Sequence, residues 1–100
     1  MLKSGLMVRL EAAPGKEAEV ERLLTALLTK VQREAGTRVW VAARVSRGRF
    51  VVFNGFRDST ARNAHLAGEV AARLREAGEG LLAGPPSLEE VEVLASKLPR

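Results

Sequence analysis

Residues 37–58 read TRVWVAARVSRGRFVVFNGFRD. Two runs rich in β-branched and aromatic residues flank Ser46-Arg47-Gly48, which predicts a β-hairpin with strands Thr37–Val45 and Arg49–Arg57. A loop of two or four residues pairs Val45 with Phe50, Val41 with Asn54, Trp40 with Gly55 and Val39 with Phe56. Side chains then alternate between two faces. One carries Val39, Val41, Ala43, Val45, Phe50, Val52, Asn54 and Phe56 and is expected to lie under helices as the core. The other carries Trp40, Ala42, Arg44, Val51, Phe53 and Gly55, with Trp40 across the bare backbone of Gly55. Helices cannot cover both faces, and an uncovered apolar patch marks an interface, so a homodimer made sheet to sheet through Trp40, Val51 and Phe53 is expected.

Toward the N-terminus, Leu6, Val8, Leu10 and Ala12 alternate with Met7, Arg9 and Glu11, a period of two that predicts a strand ending at Pro14-Gly15. Val20, Leu23, Leu24, Leu27, Leu28 and Val31 then follow the spacing of one helical stripe, predicting a helix over Lys16–Ala35 stopped by Gly36. Beyond the hairpin, Asp58-Ser59-Thr60 offers N-cap residues, and Leu66, Val70, Leu74, Ala77 and Leu81 predict a second helix that frays near Gly78 and Gly80. Gly84-Pro85-Pro86 closes it, and Leu88–Leu98 alternates as a fourth strand. The order βαββαβ is that of an α+β, ferredoxin-like fold: an antiparallel sheet with two helices on one face.

One hundred residues, 46% hydrophobic and 28% charged, suit a single domain spanning 1–100. No apolar run approaches the roughly 20 residues of a membrane span, and Met1–Leu10 lacks the stretch of a signal peptide, so a cytoplasmic protein is expected. The absence of cysteine removes disulfides, a thiolate nucleophile and sulfur-based zinc sites, and a single histidine and a single aspartate leave little for any other metal. No metal and no cofactor are expected. A net charge of +4 permits anionic partners without requiring them.

Several stretches carry a family likeness. Pro14-Gly15-Lys16 opens a long acidic helix, and Trp40-Val41-Ala42-Ala43-Arg44 forms part of strand two. Phe53-Asn54-Gly55-Phe56-Arg57-Asp58 leads into Ala61-Arg62-Asn63-Ala64-His65-Leu66, and Pro85-Pro86-Ser87 precedes a strand ending Leu94-Ala95-Ser96-Lys97-Leu98. Over nearly the whole chain this resembles the antibiotic biosynthesis monooxygenase family, small dimeric α/β barrels. The resemblance implies a cofactor-independent monooxygenase acting on a phenolic, quinol or polyketide-like aromatic small molecule. The alternative it admits is a noncatalytic small-ligand-binding or stress-related dimer, and, less strongly, a haem-binding or haem-degrading protein in which His65 matches an iron ligand. The family's catalytic branches usually end strand three with Trp and place an Asn four residues earlier or on strand one. Here those positions hold Phe56 and Val52, and no Asn lies near Met7.

His65 is the candidate catalytic residue, because histidine is the side chain suited to removing a phenolic proton near neutral pH. On one continuous helix it falls about 140° from Val70, off the apolar stripe and beside Ala61, Gly68 and Ala72; a structural hydrogen bond on that small-residue face is the competing role. Asn63 falls about 20° from Val70, inside the stripe, where its amide must cap the helix or meet something in the layer between helix and sheet. Asn54 is the polar residue on the helix-covered sheet face and either orients a substrate oxygen or pairs with backbone. Phe56, Trp40 and Arg44 complete the candidate substrate contacts, although Phe56, like Phe50 on the same face, is far more often core than a stacking platform. Arg9, Glu11, Arg44 and Glu92 are expected on the uncovered face, pairing across a dimer. An RNA recognition motif shares the βαββαβ order, but its stacking aromatics stand two apart on one face, whereas Phe50 and Phe53 are three apart; nucleic acid is a disfavoured partner.

Overall fold

In the computed structural model, which describes residues 2–99, the turn at Arg47-Gly48 forms as its composition dictates, with Ser46 paired to Arg49. One residue further in, the pairing changes. Arg44 faces Phe50, so Val45 stands as an extra residue in the first strand of the hairpin, and Arg38 is a second one between the Thr37–Phe56 and Val39–Gly55 pairs. Such bulges place two residues opposite one. Between them Trp40 faces Asn54, Ala42 faces Val52 and Val41 faces Phe53.

This one-residue shift corrects the expected faces of that strand, because a slip of one moves every side chain to the other side. Trp40, Ala42 and Arg44 lie on the helix side with Phe50, Val52, Asn54 and Phe56. Val39, Val41 and Ala43 lie on the open side with Val51 and Phe53. Trp40 is therefore removed from the expected interface and packs, half-buried, against the core, while Val41 is 54% exposed. Val39 replaces it over Gly55: a side chain begun at Gly55 would meet the Val39 Cβ at 3.2 Å.

Among the described residues the strands are β1 (Ser4–Glu11), β2 (Thr37–Ser46), β3 (Arg49–Phe56) and β4 (Ser87–Glu92), antiparallel in the order β2-β3-β1-β4. Helix α1 (Glu17–Val31), helix α2 (Ser59–Leu66) and helix α3 (Glu69–Ala77) complete the chain. With three helices on one face of an antiparallel sheet, the fold is ferredoxin-like and α+β. Val8 and Leu10 of β1 meet Val52 and Phe50 of β3 and the stripe Val20, Leu24, Leu27 and Val31 of α1, and Leu6, opposite Asn54, is buried as well. Burying each such side chain contributes about 1.5–3 kcal/mol.

Three further expectations change. First, α1 stops at Val31, and a tight turn carries the chain on, with the Glu34 N–H donating to the Val31 carbonyl (2.9 Å) and the Thr37 N–H to the Glu34 carbonyl (3.1 Å). Gly36 does not cap this helix; it lets the turn approach α2, since a Cβ there would lie 3.1 Å from that of Ala61. Second, the expected second helix is two helices. Asp58 caps the first by accepting from the Ala61 N–H (2.9 Å), and the chain is extended at Gly68, where α3 begins. Third, β4 ends at Glu92, and residues 93–99 carry no regular structure, with Leu94 89% exposed. Alternation of Val93 and Ala95 with polar neighbours is a strand pattern, but a strand needs a neighbour to pair with, and β1 begins opposite Glu92.

Candidate functional site

The break at Ala67-Gly68 changes the phase between the halves of the helical region, and with it the expected side-chain placement. Asn63, placed in the stripe by a single helix, is exposed on α2, neither capping it nor reaching the layer beneath. His65, placed off the stripe, is 6% exposed, and its ring lies 5.3 Å from that of Phe56, which is fully buried. Of its three expected neighbours, Ala61 and Gly68 line the same cavity as His65 and Ala72 does not.

A second group meets the histidine from the turn after α1. The Nδ1 of His65 lies 2.6 Å from Glu34 Oε1, and the Thr37 hydroxyl donates to the same oxygen at 2.7 Å while standing 3.5 Å from Nδ1. Three elements thus converge: the turn, the start of β2 and α2. Each is fixed by a feature already described, namely the early end of α1, the bulge at Arg38 and the Asp58 cap. Around them a cavity of about 380 Å³ is walled by Gly36, Ala61, Ala64, His65, Gly68 and Val70, with Lys30, Arg33 and Glu69 also lining it. Lys30 and Glu69 pair at 3.1 Å. That volume lies within the range of small-molecule sites.

Asn54 is 1% exposed, and its amide donates to the Leu6 carbonyl at 3.3 Å. Its expected position on the helix side holds, and the backbone-pairing role is the one its geometry fills. Beside it on β2, the indole Nε1 of Trp40 is buried without a hydrogen-bond partner among the described residues. Arg44 and Glu92 are not on the open face. The bulge at Val45 turns Arg44 toward α1, where it pairs with Glu21 and its guanidinium lies 5.4 Å from the centre of the Phe50 ring, and Glu92 faces Ser4. Arg9 does stay on the open side, paired with Glu89 of the adjoining strand. Arg62 reaches from α2 to the Ser4 hydroxyl (3.1 Å) and to Glu90 (3.7 Å), tying the helix layer to β1 and β4.

The larger hollow, about 490 Å³, lies at the hairpin end among Arg9, Glu11, Val45, Arg49, Pro85 and Ser87. Its ionisable groups are exposed and reach solvent directly, so the smaller cavity, with a buried histidine in its wall, is the stronger candidate for chemistry. Glu34 and Thr37 were missed in the sequence because nothing in a helical stripe or strand alternation singles out a residue in a turn. The available signal was a carboxylate two residues before the glycine that ends the helical pattern.

No family model matches the chain, and no curated protein matches it; solved structures do. A protein of unknown function from Nitrosomonas europaea is 44% identical over 100% of this chain and 97% of its own, with a TM-score of 0.96. A Pseudomonas aeruginosa protein is 27% identical over 95% of this chain and 97% of its own, with a TM-score of 0.79. A "putative antibiotic biosynthesis monooxygenase" from Caulobacter crescentus shares the fold, at 24% identity over 94% of this chain and 92% of its own, also with a TM-score of 0.79. The chain belongs to one family with the 44% identical Nitrosomonas protein, and its fold is that of the antibiotic biosynthesis monooxygenases, as the sequence resemblance implies.

Proposed function

We propose that this member of the family is a cofactor-independent monooxygenase for a phenolic or quinol small molecule, working as a homodimer with His65 as its base. The observation that supports this most is the chain of hydrogen bonds from Thr37 through Glu34 to His65 in the wall of a ligand-sized cavity. A histidine backed by a carboxylate is the arrangement that general-base catalysis uses. Removal of the phenolic proton drives electron density onto the ring, and a ring carbon then bonds to dioxygen as a hydroperoxide. Loss of water leaves a quinone. One oxygen atom ends in the product and the other in water, the ring carbon's hydrogen leaves with it, and the substrate supplies all the electrons, so no reductant enters. Lys30 is already paired with Glu69, so Arg33 is the cation at the cavity left to face an anionic phenolate, and the small side chains of Ala61 and Ala64 leave room for a flat ring.

Oxygen uptake with added hydroquinones and polyphenols tests this. General-base contributions run from about 10² to 10⁴, so His65→Ala is expected to lower turnover at least about a hundredfold. Uptake in the wild type that survives in His65→Ala would remove His65 from the chemistry. A second reading, a noncatalytic small-ligand-binding dimer, is favoured by Asn54 being engaged with the Leu6 carbonyl and by His65 lying against Phe56 as a core residue does. Saturable binding of phenols without oxygen uptake would favour it.

A further inference from the structure

Which ring nitrogen of His65 does the work depends on a residue outside the stripe and strand patterns. We propose that Glu34, itself held by Thr37, is a positioning residue that keeps the proton of the neutral His65 ring on Nδ1 and leaves the lone pair on Nε2. Its catalytic consequence rests on the reading of His65 as a base; the tautomer itself does not. Thr37 has one hydroxyl proton, and its 2.7 Å contact gives that proton to Glu34 Oε1. As a carboxylate, Glu34 only accepts. Neither group facing Nδ1 therefore has a hydrogen to give it, and a 2.6 Å approach to the carboxylate requires that Nδ1 carry its own. A free histidine side chain prefers the proton on Nε2, so Glu34 imposes the less common form. In turnover, the substrate's phenolic proton would pass to Nε2 while the Nδ1–H stays in place, and the resulting imidazolium faces the Glu34 carboxylate. The turn brings Glu34 there from 31 positions away in the chain, and its side chain is 23% exposed against 5% for the histidine, which leaves the carboxylate partly hydrated and the ring enclosed.

The chain has a single histidine, so long-range ¹H–¹⁵N correlation spectra of labelled protein read this ring without ambiguity at a pH where it is neutral. The wild type is expected to show a protonated Nδ1 and an unprotonated Nε2; the opposite pattern overturns the proposal whether or not any substrate is oxidised. Glu34→Ala is expected to shift the ring toward the Nε2–H form, and Glu34→Asp to restore part of the wild-type signal. An unchanged tautomer in folded Glu34→Ala would equally sink the idea. If Glu34→Ala does not fold, Glu34→Gln keeps the size of the side chain but offers an amide that can donate to Nδ1 and is expected to mix the two forms, and a pure wild-type signal there counts against the proposal. Where quinol oxidation is found, Glu34→Ala is expected to lower turnover at least about tenfold with little change in KM. The predicted tautomer in a protein that oxidises no quinol would leave this inference standing and remove the oxygenase reading.

Discussion

At the scale of single residues, Asn54 separates a structural amide from a spare one. Its donor satisfies the Leu6 carbonyl in a site 1% exposed, and removing a buried partner leaves the other group unsatisfied at a cost of about 1–3 kcal/mol. Asn54→Leu is therefore expected to lower Tm by several degrees, at roughly 4–8 °C per kcal/mol for a domain of this size. An unchanged Tm, measured by thermal unfolding, would mean the amide is free for a ligand. The side of the sheet that Asn54 faces was legible from alternation along β3, and its partner 48 positions away was not. The same holds for His65. Its residue type marked it as a candidate, but its burial follows from Phe56 and Glu34, contacts made only once β3 and the turn after α1 are folded beside α2.

At the scale of elements, the hairpin shows how a correct turn can lead to wrong faces. The two-residue turn at Arg47-Gly48 was written in the sequence, and the pairing Ser46–Arg49 follows from it. The bulge at Val45 was not, because Val45 continues the alternation of a regular strand and carries none of the glycine signals that mark some bulges. Deleting Val45 tests the arrangement sharply. With the bulge residue gone, Ser46 still meets Arg49 and Arg44 still meets Phe50, so Trp40 should stay on the helix side, with its fluorescence spectrum unchanged and Tm close to that of the wild type. In an unbulged strand the same deletion would turn Trp40 outward and shift its emission to the red. The split between α2 and α3 was half legible: Gly68 was present as a breaker, but glycine within a helical pattern is tolerated often enough that the apolar spacing outweighed it.

At the scale of the whole molecule, correcting the faces changes the composition of the open side but not its character. Val41 at 54% exposure, with Val39, Val51, Phe53 and Met7, forms an apolar surface over which no helix of the described residues lies, floored by the directly opposed Gly5 and Gly55. A Cβ at Gly5 would lie 3.0 Å from the Phe53 ring, so that ring lies close over the sheet. Light scattering after size exclusion is expected to give twice the chain mass, and Phe53→Asp, by placing an unpaired charge at such a contact, to shift the protein toward monomer or aggregate. A wild-type monomer at micromolar concentration would remove the dimer, and an unaltered dimer in Phe53→Asp would put the contact elsewhere.

The two bulges of β2 bear on how far such association can run. β2 and β4 are the margins of the sheet, where unpaired backbone groups invite strands from other molecules and endless polymerisation. Bulges at Arg38 and Val45 interrupt the ladder of β2, and β4 is six residues long and carries Glu89, Glu90 and Glu92. Neither margin offers a long, regular, uncharged template. Growth by edge addition is discouraged on both sides while the flat face remains sticky, and two identical faces that meet each other are used up in the meeting. For the proposed homodimer this arrangement is expected to favour closure at two copies over fibres, even at high concentration.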